Sequence, residues 1–594
     1  MPTLHWVGKD KVVNHHHDVP FRLLNHEYRF TAKDGTPNNS TDNRIIHGDN
    51  LEALKSLLPE FEGKVKCIYI DPPYNTGKEG WVYNDNVNDP KIKKWLGQVV
   101  GKEGEDLSRH DKWLCMMYPR LKLLHKLLAD DGMIFISIND VESASLRLMC
   151  DDIFGANNFL TQFIWNSEGN TDNQLEIKIN HEYIITYLKK INNKATAIGN
   201  VIDPNTREDS NLWQGIADNN INKNGVANPP SVVTLPVGFP CAESELFYSK
   251  KIVDDEFFNQ TQLERFISDT VKKKYGIEPL SGLPVKLDDL IVKNGKLTQP
   301  CRLYGGFANQ NKLQAFIDNG LKPIDDDGAQ LKFYLNRNCG VRYTKENSKP
   351  SNILSVLKGF GTTERMKTTL KDMGLDFSYP KPVELIKYLL EVGAEPQDSI
   401  VLDSFAGSGT TAEAVLRMNE SDNGNRKFIC IEMMDYAETT TSKRVKAVMD
   451  GYVTIKHGKT IAGLGGGFDY FTVGEPLFLE DKNLNEAVGA TAIRSYVAYT
   501  ESIPLEQQTD MNHPVSPYTL GVDEQGGRVL WVFYYEREQV TTLDMDFLAT
   551  LNVKSLSERP EAYVIYADKC TLSREFMTKH GISFKRIPRD ITRF

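Results

Sequence analysis

Short apolar runs that end abruptly in polar residues mark this chain as sheet-forming: Cys67-Ile68-Tyr69-Ile70, Ser399-Ile400-Val401-Leu402 and Lys427-Phe428-Ile429-Cys430-Ile431. Their length and lack of polar alternation suit strands covered on both faces better than helices. Tyr183-Ile184-Ile185-Thr186-Tyr187-Leu188 reads as an outer strand of the same sheet, and Ala412-Glu413-Ala414-Val415-Leu416 carries a helical pattern. Strand-helix units fill residues 41–195 and resume over 371–480, whereas residues 1–40 are polar and irregular. Residues 196–370 lose the pattern: Asn-rich and Pro-rich stretches such as Asp218 to Pro230 break it, as in an inserted domain built from loops. The last part, 481–594, with strand-sized runs such as Val529-Leu530-Trp531-Val532-Phe533-Tyr534-Tyr535, reads as a small separate α/β unit. No internal repeat is visible.

At 594 residues the chain is too long for one core and should hold roughly three or four domains. No apolar run approaches the roughly 20 residues that span a bilayer. The N-terminus, with Lys9, Asp10 and Lys11 but no apolar stretch, does not read as a signal peptide, so no membrane contact and a cytoplasmic location are expected. The eight cysteines are scattered, without a Cys-x-x-Cys pair, as reduced core residues would be. His15-His16-His17 has no second cluster and reads as a solvated loop, so no metal is expected.

Asp71-Pro72-Pro73-Tyr74 follows the first of the apolar runs. Two prolines continue neither a helix nor a sheet ladder, so the backbone leaves the sheet in a stiff direction and aims the flanking side chains. The Asp71 carboxylate and the Pro72 carbonyl are two acceptors able to take both hydrogens of an exocyclic amine, and Tyr74 offers a ring on which a base can stack. Drawing both hydrogens toward acceptors favours a pyramidal nitrogen whose lone pair is available. Taken alone, the tetrad is also compatible with a plain loop after a strand.

A second motif, Asp403-Ser404-Phe405-Ala406-Gly407-Ser408-Gly409-Thr410-Thr411, sits between a strand-like run and a helical pattern, the arrangement of a nucleotide-cofactor site. Gly407 and Gly409 let the main chain approach a ligand, and the helix start supplies N–H groups. Glu432, at the end of the next strand, can bind both ribose hydroxyls. Such a turn suits S-adenosylmethionine as well as NAD. Gly463-Leu464-Gly465-Gly466-Gly467-Phe468 is not a second such site, because strand-like Asp469-Tyr470-Phe471-Thr472-Val473 follows it, and it reads as a flexible turn. Gly458-Lys459-Thr460 lacks the first glycine of a P-loop, with Val453 in its place, so ATP hydrolysis is not expected.

The order of these motifs, tetrad first and glycine turn later, resembles the beta group of DNA amino-methyltransferases. Asp71 to Gly77, His110-Asp111-Lys112-Trp113 with Met117-Tyr118-Pro119-Arg120-Leu121, and Asp131 to Ile138 resemble more closely the Mod subunits of type III restriction-modification systems. The similarity runs through most of residues 40–190 and 375–475. It implies that Asp71, Pro72, Pro73 and Tyr74 form the catalytic tetrad holding a flipped adenine. It further implies that Asp403, Phe405, Gly407, Gly409 and Thr410 line the cofactor pocket, with Glu432 on the ribose. Asp49, ending Ile45-Ile46-His47-Gly48, matches a family strand that reaches the cofactor's adenine, although a helix-capping Asp after a buried strand looks the same. Phe377-Ser378-Tyr379-Pro380-Lys381-Pro382 resembles the element that closes over the cofactor, which assigns Lys381 and Pro382 to cofactor binding. In this family Asp at the head of the tetrad goes with adenine and Ser with cytosine.

The net charge of −10 excludes indiscriminate nucleic-acid coating, so DNA contacts must be local. Between residues 331 and 371, Lys332, Arg337, Arg342, Lys345, Lys349, Lys358, Arg365, Lys367 and Lys371 face only Glu346 and Glu364, with Phe333, Tyr334, Tyr343 and Phe360 interleaved. Basic residues among aromatics suit a surface that grips phosphates, and Arg337, Arg342, Lys345, Lys349, Lys358, Arg365 and Lys367 are the candidate DNA contacts. A solvated charged face is the competing reading.

Together these features predict an α/β fold: a Rossmann-like methyltransferase sheet in circularly permuted motif order, with the catalytic half at 41–195 and the S-adenosylmethionine half at 371–480. A target-recognition domain is inserted at 196–370, and 481–594 forms a small C-terminal α/β domain that could contact a partner. The expected activity is sequence-specific transfer of a methyl group from S-adenosyl-L-methionine to adenine N6 in double-stranded DNA. The resemblance also implies a homodimer and a helicase-nuclease Res partner. Cytosine N4 methylation is the nearest rival; a DNA-binding specificity subunit with a spent site and an NAD-dependent oxidoreductase are the others, and the last leaves the tetrad unexplained.

Overall fold

A computed structural model describes residues 4–76, 109–167, 177, 179–193, 197–223, 225, 227–249, 270, 274, 283–326, 328–346, 351–479, 481–523 and 527–588. The chain forms two compact units, one of residues 1–199 with 355–594 and one of residues 200–354.

The larger unit is built on a ten-stranded sheet. Its strands in chain order are β1 (Arg22–Thr31), β2 (Asn43–His47), β3 (Val65–Ile70), β4 (Leu128–Ile138), β5 (Phe159–Asn166), β6 (His181–Leu188), β7 (Val356–Leu357), β8 (Ile400–Asp403), β9 (Lys427–Glu432) and β10 (Gly467–Pro476). In space they lie in the order β1-β10-β2-β9-β8-β3-β4-β6-β5-β7. From β10 to β4 every pairing is parallel. Strands buried on both faces read as uninterrupted apolar runs, and all six residues of β3 are buried. The chain leaves room for two strands between β2 and β3, and β9 and β8 fill it from the far end of the sequence. That interleaving makes one sheet of the two halves, and sets β3 and β8 side by side with Val401 opposite Cys67 and Leu402 opposite Ile68. The main helices are α1 (Asn50–Phe61), α2 (Arg109–Leu127), α3 (Ser143–Cys150), α4 (Thr363–Asp372), α5 (Val383–Gly393), α6 (Thr410–Asp422) and α7 (Lys443–Asp450).

The N-terminal segment, expected to be irregular, instead supplies edge strand β1, antiparallel to β10. Its residues are all exposed or half-exposed, so it lacks the apolar run by which the inner strands announce themselves. The turn at Gly465–Gly467 is no flexible linker. A Cβ at Gly465 would lie 1.7 Å from the Pro37 carbonyl oxygen, and one at Gly466 2.6 Å from that of Ser40, so these glycines exist to let two backbones touch. Residues 355–370, expected to belong to the insert, lie in the larger unit, where β7 pairs with β5.

The C-terminal part has a four-stranded sheet of its own, Thr519–Val522, Val529–Phe533, Ala562–Ala567 and Ile582–Arg586. It belongs to the larger unit, and Phe21 packs edge-on to Tyr496 at 4.8 Å. The unit of residues 200–354 is not a set of loops: it holds two three-stranded sheets, a four-stranded sheet and helix Gln310–Asp318 around a core that includes Phe239, Leu303, Phe316 and Phe333. Its strands are short and set among turns, which hid them behind the Asn and Pro residues.

Candidate active site

Because β3 and β8 are hydrogen-bonded neighbours running the same way, the segments that follow them open into one cleft at the carboxyl edge of the sheet. Asp71, Lys381, Asp403, Phe405, Gly407 and Thr410 line it together with Tyr69, Phe377, Tyr379 and Pro380.

The tetrad is held from both sides. The Trp113 indole on α2 donates to the Pro73 carbonyl at 2.6 Å. Asn75, in the left-handed region at φ 59°, donates to the fully buried Glu142 at 2.5 Å, and Glu142 also bonds His110 at 2.6 Å. Two acceptors are left uncommitted. Asp71 Oδ1 is buried without a hydrogen-bond partner, and the Pro72 carbonyl accepts no bond among the described residues. Asp71 Oδ2 lies 3.1 Å from Lys381 Nζ, which is also 3.2 Å from Glu182 Oε2. Tyr74, 6 % exposed, donates its hydroxyl to Glu182 at 2.9 Å. Burial pushes the Asp71 carboxyl above its ordinary pKa, with Lys381 opposing. Burial also works against charge on Lys381, but Asp71 and Glu182 outweigh it and raise the ammonium's pKa.

The glycine turn has Gly407 at φ 54° and Gly409 at φ 82°, both in the left-handed region. Gly407 donates its N–H to Glu432 Oε2 at 2.9 Å, and Met434 N–H donates to Oε1 at 3.0 Å. Asp403 accepts from Phe405 N–H at 3.0 Å and from the Thr411 hydroxyl at 2.5 Å. Burial pushes both Asp403 and Glu432 up to about 7. Asp49 caps α1 by accepting from Leu51 N–H at 2.8 Å and lies 3.5 Å from the Arg120 guanidinium. The Gly48 N–H donates to the Glu432 carbonyl at 3.0 Å, which brings the end of β2 to the end of β9.

Two expected positions differ from the resemblance. The Lys381 side chain reaches the tetrad, not the glycine turn; only its carbonyl meets the turn, accepting from Thr410 Oγ1 at 3.3 Å. Pro382 precedes α5 and lines a separate recess with Arg365, Glu384 and Arg417. Glu182 and Trp165, across from each other on β6 and β5, escaped the sequence reading altogether. An acidic residue at the head of an apolar strand is the one signal Glu182 gives.

The basic stretch divides between the units. Arg337, Arg342 and Lys345 belong to the unit of residues 200–354, and Lys358, Arg365 and Lys367 to the larger one; Lys349 lies outside the described residues. Part of it is neutralised by acids from outside the stretch, Arg342 pairing with Asp218 at 3.0 Å and Lys345 with Asp326 at 3.1 Å, and Lys332 pairs with Glu346 within it at 2.7 Å. Phe333 and Phe360 are buried packing residues, not stacking platforms. Arg337, Lys358 and Arg365 are exposed.

A model of the DNA methylase family, N6_N4_Mtase, matches residues 65–443. The type III restriction-modification enzyme EcoPI Mod subunit of Escherichia phage P1 is 33% identical over 452 residues, 72% of this chain and 63% of that protein. The EcoP15I Mod subunit of Escherichia coli is 30% identical over 482 residues, 76% and 67% of the two chains. The type II methyltransferase M.KpnI of Klebsiella pneumoniae is 28% identical over 413 residues, 69% and 85%. The chain thus spans less than two thirds of the phage relative's own length. With the tetrad and the glycine turn on adjacent strands inside a family match that takes in more than half of its residues, this chain belongs to the DNA methylase family.

Proposed function

We propose that this chain is a sequence-specific DNA methyltransferase that uses S-adenosyl-L-methionine to methylate N6 of an adenine turned out of double-stranded DNA. The observation that carries this reading is the shared cleft, with Asp71, whose Oδ1 is uncommitted, at one wall and Gly407 of the left-handed glycine turn at the other; the Pro72 carbonyl next in the chain accepts no bond among the described residues. The donor set fits the cofactor. Glu432 offers two oxygens, each already oriented by a main-chain N–H, to a ribose diol, and Gly407 lines the cleft without a side chain to bar close approach. When bound, S-adenosylmethionine supplies an electrophilic methyl group on a sulfonium centre. Asp71 and Pro72 hold both hydrogens of the amine and so ready its nitrogen, Tyr74 offers its ring to the base, and Asp71 Oδ1 is positioned to take the proton the amine gives up. Asp49, Phe405 and Thr410 are assigned to the cofactor side, and Arg337, Arg342, Lys345, Lys349, Lys358, Arg365 and Lys367 to DNA.

The Mod relatives support a further assignment as the modification subunit of a type III restriction-modification system; with it we propose a homodimer and a helicase-nuclease Res partner. Single-molecule sequencing of DNA from a methylation-free host expressing the chain tests the activity. N6-methyladenine at one short sequence is the expected result, and N4-methylcytosine or unmodified DNA would overturn it.

The raised carboxyls give a second check. Glu432 must be ionised to accept two hydroxyls, so binding favours its deprotonated form and releases a proton at pH values below about 7. The Kd for S-adenosylmethionine should fall as pH rises from 6 to 7, by up to roughly tenfold for one carboxylate, and level off above. Glu432→Gln should weaken binding and flatten that slope. An unchanged Kd across the range in the unmodified protein would remove this role.

A further inference from the structure

We infer that Lys381 and Glu182 are positioning residues of the tetrad: Lys381 occupies one oxygen of Asp71 so that the other faces the amine, and Glu182 ties Lys381 to the Tyr74 ring. This rests on the methyltransferase reading above. The geometry is closed on every side. Lys381 Nζ sits 3.1 Å from Asp71 Oδ2, 3.2 Å from Glu182 Oε2 and 4.9 Å from the centroid of the Tyr74 ring. Tyr74 completes the loop by donating its hydroxyl to the same Glu182 oxygen at 2.9 Å. Three elements far apart in sequence therefore meet at one cation: the bend after β3, strand β6, and the turn before α5.

With its side chain only 6 % exposed, Lys381 is shielded from solvent screening, so each pairing depends on the others. A carboxylate alone at Asp71 would meet the charge of Glu182 and, from the neighbouring strand, that of Asp403, while the neutral Tyr74 hydroxyl works the other way and favours its charged form. Lys381 is the cation that offsets them. It also removes a choice of geometry, because an oxygen fixed on Lys381 leaves Oδ1 as the one Asp71 acceptor for an incoming NH2 group. Since Thr410 Oγ1 bonds the Lys381 carbonyl, the same turn links the tetrad to the glycine turn through its backbone and leaves the side chain to Asp71.

The two partners carry opposite charges, so removing them should move Asp71 in opposite directions. Lys381→Met should raise the Asp71 pKa, and Glu182→Gln should lower it. Both variants are read in the full chain in two ways. The first is the acid limb of the single-turnover rate of methyl transfer, expected to move to higher pH in Lys381→Met and to lower pH in Glu182→Gln. The second is the infrared band of the protonated Asp71 carboxyl, identified as the band that Asp71→Asn removes and titrated without DNA. Lys381→Arg should restore most of the unmodified profile, and S-adenosylmethionine binding should survive in all three variants. Rates that drop without any movement of limb or band, or that move the same way in both variants, would overturn the inference. Absence of methyl transfer in the unmodified protein at every pH would instead strike the functional reading, while the infrared titration still decides the role of Lys381 and Glu182.

Discussion

Asp71→Ala is expected to cut the single-turnover rate of methyl transfer by roughly 10²–10³-fold or more, the scale set by removing one group that stabilises developing charge in a closed site. The Kd for S-adenosylmethionine should change little, because Asp403 and Glu432 end β8 and β9, the glycine turn joins β8 to α6, and none of them donates a hydrogen bond to Asp71. The substitution takes away the buried acceptor Oδ1 and also one of the two carboxylates on Lys381. Lys381 keeps Glu182, so the variant should remain folded. Tyr74→Ala should fall comparably by losing the stacking ring, whereas Tyr74→Phe, which keeps the ring and gives up only the bond to Glu182, should lose far less. Full activity in Asp71→Ala protein would remove the mechanism.

How far such a site can be read in advance depends on whether its parts are local. The bend at Asp71-Pro72-Pro73-Tyr74 and the turn from Asp403 to Thr411 each follow an apolar run whose end fixes where the side chains go, and their cleft follows from β3 lying beside β8. Glu432 was legible for the same reason, as the residue that ends β9. What was not legible depends on contacts across long separations. Glu182 meets Tyr74 across 108 residues, and nothing along the strand His181–Leu188 says which face of the sheet will need an acid. Lys381 stands in the element that resembles a closing turn, which points to the cofactor, but its side chain is drawn to the buried Asp71 and the half-buried Glu182. The basic stretch misled in the same manner: counted along the chain it faces two acids, whereas Asp218 and Asp326 arrive from other strands of the same small sheet and pair with Arg342 and Lys345. Edge strand β1 was missed because pairing on one side leaves its side chains half-exposed, without the apolar signature of the inner strands.

Arg444 provides the second large expected effect, on the cofactor side. It is fully buried on α7, pairs with Glu413 Oε2 at 2.9 Å, and donates to Ser408 Oγ at 2.7 Å and Thr410 Oγ1 at 2.9 Å. One guanidinium therefore pins the glycine turn to the first turn of α6. Removing one member of a buried ion pair costs about 3–5 kcal/mol. Arg444→Met should lie at the low end of that range, because Glu413 Oε1 keeps Arg417 at 2.7 Å. Thermal unfolding should report the loss as a lower midpoint, and titration calorimetry should show S-adenosylmethionine binding weakened by about tenfold or more as the turn's backbone loses its anchor, a penalty of roughly 1.4 kcal/mol. Adding Glu413→Gln to Arg444→Met separates the two consequences. Neutralising the stranded carboxylate should recover part of the stability, yet cofactor binding should stay weak, since Ser408 and Thr410 still lack the guanidinium that joins them. Cofactor affinity that stays at the unmodified value in Arg444→Met, or that returns together with stability in the double variant, would show that the turn holds its shape without this guanidinium.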